Sequence, residues 1–185
     1  MSALIVIRRK ACSDELEEKM LFKPTYWLKN VLQIDEEFLR KNNVKAMVLD
    51  MDNTLSMHGN PAAEDGVMEW LDLMRGLGVK MRVVSNNTNK RVAPLAEKLG
   101  LEFTANGAKP LTFGVNRAIK AMGADKQTTL VIGDQIFTDV MAGNLAGVRT
   151  VLVEPFHLEK TWTFRLKRKV ESLVFHRDYS KLEIK

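Results

Sequence analysis

The chain has 185 residues, enough for one domain with a full core and no need of covalent staples. Hydrophobic residues make up 45% and charged residues 28%, the balance of a soluble globular protein rather than a disordered or fibrous one. The formal net charge of +5 suits an anionic partner (phosphorylated small molecules, acidic lipid or RNA) without choosing among them, and Cys12, the only cysteine, excludes an internal disulfide and a multi-cysteine zinc site, with a lean towards the cytosol.

The opening residues Met1–Lys10 have an apolar part too short, and on the wrong side of the charges, for a secretory signal. No run approaches the length that spans a bilayer. Leu21–Leu39, rich in apolar and aromatic residues and interrupted by Pro24, reads as one or two short amphipathic helices. From Val44 the chain alternates short apolar runs with helical patterns. Strands are expected at Val44–Leu49, Val79–Val84, Leu101–Phe103, Thr129–Ile132 and Val148–Val153. Helices are expected at Ala62–Leu77, Lys90–Leu99 (with Pro94 against its first half), Leu111–Met122 and Ile136–Ala146, the last three closed by Gly100, Gly123 and Gly147. This alternation predicts an α/β fold, a parallel sheet with helices on both faces. After Pro155 a basic tail carries a helical pattern over Thr161–Phe175. The domain reading is therefore a lead-in over 1–43, a catalytic domain over 44–155 and a basic helical extension over 156–185.

Polar residues gather where the predicted strands end. The first apolar run stops at Asp50, skips one residue to Asp52 and continues Asn53-Thr54-Leu55. Alternate side chains of a strand share a face, so the two carboxylates start as neighbours at a carboxyl end, where open α/β sheets bind ligands. Two acids so close repel unless a cation or a substrate proton sits with them. That pattern points to a Mg²⁺-dependent phosphoryl-transfer centre; the other reading is a strand followed by an Asx-type turn. Ser85-Asn86-Asn87 ends the second strand, Lys109-Pro110 follows the third, and Gly133-Asp134-Gln135 with Asp139 follows the fourth. Each is ordinary turn chemistry by itself; on one sheet edge they converge.

In this order, D-x-D-N-T-L, S-N-N, K-P and G-D-Q-x-x-x-D resemble the four motifs of the haloacid dehalogenase superfamily. The match spans Val44 to Pro155. The forms D-x-D-N-T-L and G-D-Q are similar to the subfamily IIIA phosphatases, which include the phosphatidylglycerophosphate phosphatases. The resemblance implies a Rossmann-like domain. It makes Asp50 the nucleophile that forms an aspartyl-phosphate, and Asp52 the acid and then base. Mg²⁺ would be held by Asp50, Asp52 through its main-chain carbonyl, and Asp134. Ser85 and Lys109 would hold the phosphoryl oxygens, Asn86 would contact the substrate, and Asp139 would orient Lys109 or the metal's waters.

Relatives often insert a cap domain between these motifs. Here Leu55–Val84 is used up by a loop, a helix and a strand, and Asn86–Lys109 by a helix and a short strand. An uncapped, open site suits a phosphate on something large, and the resemblance favours a lipid headgroup, phosphatidylglycerophosphate, at the cytoplasmic face of a membrane. The aromatic lead-in and the basic tail either lie on an anionic membrane or pack on the sheet. Two other readings stand beside this one. In the first, the substrate is a soluble phosphate ester or a phosphoprotein, with oligomerisation open. In the second, the chain is an RNA- or protein-binding module with a vestigial site; no nucleic-acid signature supports it.

Overall fold

The computed structural model describes residues 21–57 and 62–155. Strands β1 (Tyr26–Leu28), β2 (Ala46–Leu49), β3 (Lys80–Val84), β4 (Glu102–Thr104), β5 (Thr129–Gly133) and β6 (Arg149–Val153) form one sheet. Its order is β1-β6-β5-β2-β3-β4, and every pairing is parallel. The chain walks from β2 outward to β3 and β4, then returns to place β5 on the other side of β2. The reversal puts a topological switch point at the carboxyl ends of β2 and β5, where a parallel sheet opens a ligand crevice.

The two faces follow from strand alternation. Met47, Leu49, Val83, Leu130, Ile132 and Val151 lie on one face, under α1 (Glu36–Lys41), α2 (Val67–Gly76) and α3 (Asn89–Lys98). Val48, Val84 and Val131 point the other way, under α4 (Phe113–Ala121) and α5 (Met141–Leu145). In α2 the buried residues are Val67, Trp70, Leu71 and Met74, a single stripe at helical spacing. The Trp70 indole adds a buried hydrogen bond to the Ile34 carbonyl at 2.9 Å, tying α2 to the turn at Val31–Gln33. Pro94 does not interrupt α3, because Val92, Leu95 and Ala96 bury on the sheet while the ring faces solvent. Packing here outweighs the one lost main-chain bond.

Two expectations are corrected. Leu21–Leu39 is not simply helical: Tyr26–Leu28 is extended and pairs with Val151–Val153 of β6, followed by a 3₁₀ turn and α1. Its apolar residues alternate across the sheet. Tyr26 packs edge-on against Phe38, with centroids 5.2 Å apart, while Trp27 meets Ile136, Val140 and Leu152 on the opposite face. Reciprocal bonds between Thr25 and Thr150 secure the junction, and the Asn144 amide donates to the carbonyls of Leu21 and Lys23. Of the two fates offered for the lead-in aromatics, packing on the sheet holds for Phe22, Tyr26, Trp27 and Phe38. The helix expected over Ile136–Ala146 is the second correction: it divides into a π turn at Ile136–Val140 and α5. The tail helix expected over Thr161–Phe175, and Cys12, lie outside the described residues.

Candidate active site

Asp50 follows β2 directly, and its amide donates to Ile132 O at 2.8 Å, so the carboxylate sits at the switch point. It is buried, as are Asp134, Asp139 and Lys109. The Lys109 ammonium bridges two of these acids, 2.6 Å from Asp50 Oδ1 and 2.5 Å from Asp139 Oδ1. The other oxygen of Asp139 accepts from the Gln135 amide at 3.1 Å. Asp139 can reach inward because its turn is wound wider than an α-helix: Asp139 and Val140 both donate to Gln135 O. Gly133 completes the device, since a Cβ at that position would overlap the Asp139 carboxylate.

Lys109 is held from β3. The Asn86 side chain accepts from the Lys109 amide at 2.7 Å and donates to the Lys109 carbonyl at 2.8 Å. The amide expected to contact substrate is thus spent largely on the lysine's main chain. Ser85, buried at the end of β3, accepts the Asn87 amide on its hydroxyl at 3.1 Å. Its carbonyl receives Gly107, a residue whose missing Cβ lets the loop lie against Val84. The Lys109-Pro110 peptide is cis.

Asp52 stands at the mouth, its side chain 18% exposed and 3.9 Å from the Arg91 guanidinium. The Asn87 side-chain amide (Nδ2) donates to Asp52 Oδ2 at 2.7 Å. Neither Asn87 nor Arg91 is marked by the sequence reading as a site residue. Asn87 sits inside the S-N-N motif, which was the available signal; Arg91 carries none beyond being a cation in the turn after it.

Burial sets the electrostatics. Desolvation pushes the Asp50 carboxyl up to about 7, with Lys109 opposing and Asp139 and Asp52 adding to the rise. Burial by itself would lower Lys109, but Asp139 and Asp50 together more than reverse that, so the ammonium is held above its ordinary range and stays charged. Asp50, Asp134 and Asp139 offer oxygens that all lie within 4.8 Å of one another. An all-carboxylate cluster fits a hard divalent cation. Because both Asp139 oxygens already engage Lys109 and the Gln135 amide, Asp50 and Asp134 are the acids better placed to bind one.

Comparison with known proteins reaches the same family from a different side. Residues 8–106 match the family described as mitochondrial PGP phosphatase, and residues 107–155 match the HAD-hydrolase-like family. The chain is 39% identical over 153 residues to "Probable phosphatase YqeG" of Bacillus subtilis, covering 83% of this chain and 89% of that one. The chain belongs to the haloacid dehalogenase superfamily of phosphatases. It is also 24% identical over 172 residues to "Phosphatidylglycerophosphate phosphatase 1, chloroplastic/mitochondrial" of Arabidopsis thaliana, covering 88% of this chain but about half (49%) of that one. Among solved structures, a haloacid dehalogenase family hydrolase from Deinococcus radiodurans has the same fold, with a TM-score of 0.54 at 15% identity, over 73% of this chain and 96% of that one. For a phosphatase of this superfamily the substrate carries a phosphoryl group, a divalent metal is the general cofactor, and the acid cluster stands where one would bind. Among the described residues no cap interrupts the sheet, and no helix is long and apolar enough to cross a membrane.

Proposed function

We propose that the protein is a Mg²⁺-dependent phosphomonoesterase that works through an aspartyl-phosphate on Asp50, and that its substrate is phosphatidylglycerophosphate. The observation that carries the mechanism is the Lys109 ammonium fixed between Asp50 and Asp139. It sets a permanent cation where the phosphoryl oxygens must lie when Asp50 attacks. The Asp50 carboxylate forms the new bond to phosphorus while the bond to the alcohol oxygen breaks. Asp52 gives its proton to that oxygen, releasing the alcohol. Asp52 then removes a proton from water, whose oxygen attacks phosphorus and displaces Asp50 as inorganic phosphate forms. Ser85 donates to the phosphoryl group beside Lys109, and Asn86 acts by positioning the lysine. Mg²⁺, held by Asp50, Asp134 and the Asp52 carbonyl, would neutralise charge on the same oxygens.

The lipid assignment is supported by the PGP phosphatase family match, by the uncapped edge, and by two apolar side chains beside the site. Leu111 and Phe113 follow the Lys109-Pro110 pair and are 64% and 59% exposed. Arg117 and Lys120 lie on the same side of α4, along a groove that those two residues also line. Apolar tips flanked by cations suit an anionic interface, so we place the protein peripherally, at the cytoplasmic face of a membrane.

Phosphate release from phosphatidylglycerophosphate in mixed micelles, beside a panel of soluble esters and with and without Mg²⁺, tests both parts. Rapid Mg²⁺-dependent release from the lipid, lost by roughly 10³-fold or more in Asp50→Asn, is the expected result. Release from soluble esters alone would discard the lipid and keep the chemistry. Activity retained in Asp50→Asn would discard the nucleophile.

A further inference from the structure

None of the steps above uses Arg91. It lies in the first turn of α3 beside Lys90, in a turn with no acidic residue. Cations are disfavoured there, because the helix presents its positive end. Its side chain is about half exposed, with Nη2 3.9 Å from Asp52 Oδ1, while Asp52 Oδ2 takes the Asn87 amide. Arg91 therefore borders Asp52 on the solvent side of the site, whereas Lys109 and Asp50 form its buried floor.

The position has a chemical meaning that rests on the reading of Asp52 as the leaving-group acid. An acid that protonates the departing oxygen must touch it. A cation next to that acid, outside the phosphoryl pocket, then faces the alcohol half of the substrate. We propose that Arg91 binds a second anionic group, one that leaves with the alcohol: a phosphodiester or a carboxylate a few bonds from the ester oxygen. A guanidinium is suited to this, since its planar fork matches either oxyanion with paired hydrogen bonds. Arg91 is then a specificity-determining residue that makes the enzyme prefer phosphate esters whose alcohol is itself charged. A residue that only held Asp52 in place would serve every ester equally, and that difference is measurable.

The test compares kcat/KM of the full chain, with divalent cation, on four esters: short-chain phosphatidylglycerophosphate, its deacylated headgroup, 2-phosphoglycolate, and glycerol 3-phosphate, whose alcohol has no second anion. In Arg91→Gln the ratio of the charged-alcohol esters to glycerol 3-phosphate is expected to fall about 10- to 100-fold, chiefly through KM. Arg91→Lys should restore part of it. Lys98→Gln, the same charge loss at the exposed far end of α3, should leave the ratio where it was. A fall confined to the two phosphodiesters identifies a lipid-type headgroup as the source of the anion. A fall confined to 2-phosphoglycolate identifies a small carboxylate ester. Both sustain the anion site. Equal losses on all four esters would overturn it and leave Arg91 as a positioning residue for Asp52. If the unaltered protein releases phosphate from none of them, the substrate reading fails and the anion site with it, a result visible before any variant is made.

Discussion

Lys109 makes two ion pairs, and each acid answers a different question about it. Asp50 is the partner that changes during the proposed reaction; Asp139 is the partner that does not. Asp139→Asn should therefore cost about 10- to 100-fold in kcat with the fold kept, because the ammonium loses its fixed anchor. Gly133→Ala should give a similar loss by crowding Asp139 out of place, together with about 1–3 kcal/mol of stability in urea unfolding. Burial also gives a pH signature to the metal-free protein. The Asp50 carboxyl is pushed up to about 7 from 3.8, so its proton is favoured in the folded state. Its contribution is complete below about pH 4 and is lost as pH rises through about 7. Urea midpoints without divalent cation should accordingly show the unaltered protein losing stability relative to Asp50→Asn across that window. A parallel pH dependence of the two would contradict the burial argument. At this scale the acids, Ser85 and Lys109 were legible because they stand in the segments that follow strand ends, which parallel pairing brings to one edge. The approach of Asn87 and Arg91 to Asp52 was not, because contacts between side chains 35 or more residues apart leave no local pattern; the need for Gly133 was not, because it follows only from the turn that folds Asp139 back over it.

The elements show which sequence signals survive packing. Helices α2 and α4 carry apolar stripes strong enough to be read directly, and β2 and β5, buried throughout, read as unbroken apolar runs. β1 was hidden for a physical reason. It is three residues long, too short for alternation to stand out among neighbouring aromatics, and an open edge of β6 supplies the pairing that makes it a strand. The π turn was hidden because one wider-wound turn, the one that carries Asp139 to Lys109, leaves no mark in the spacing of apolar residues. Asn144 is the element-scale test of the β1 junction. Asn144→Ala removes the bonds to Leu21 and Lys23 and one to Thr150, and should cost about 1–3 kcal/mol, read as a lower urea midpoint.

Across the whole molecule, the candidate site residues all lie on one edge of a sheet with no cap over it among the described residues. The fold class was legible because strand and helix patterns alternate; the strand order was not, because pairing partners are set by crossovers and not by sequence adjacency. If the exposed apolar pair beside Lys109 meets lipid as proposed, Leu111→Asp combined with Phe113→Asp should release the protein from anionic vesicles in a sedimentation assay. Hydrolysis of soluble esters should fall far less than hydrolysis of the lipid. Unchanged sedimentation would remove this surface from consideration. The pairing of β1 with β6 has a temporal consequence. The Thr25–Thr150 bonds join residues 125 positions apart. At about 5–20 residues per second on a ribosome, β1 waits roughly 6–25 s for the strand that completes it. During that interval Tyr26 and Trp27 have no sheet to join, so the nascent chain presents an aromatic segment to whatever surveys the ribosome exit, and the edge of the sheet closes only after the last site residue, Asp139, has been made.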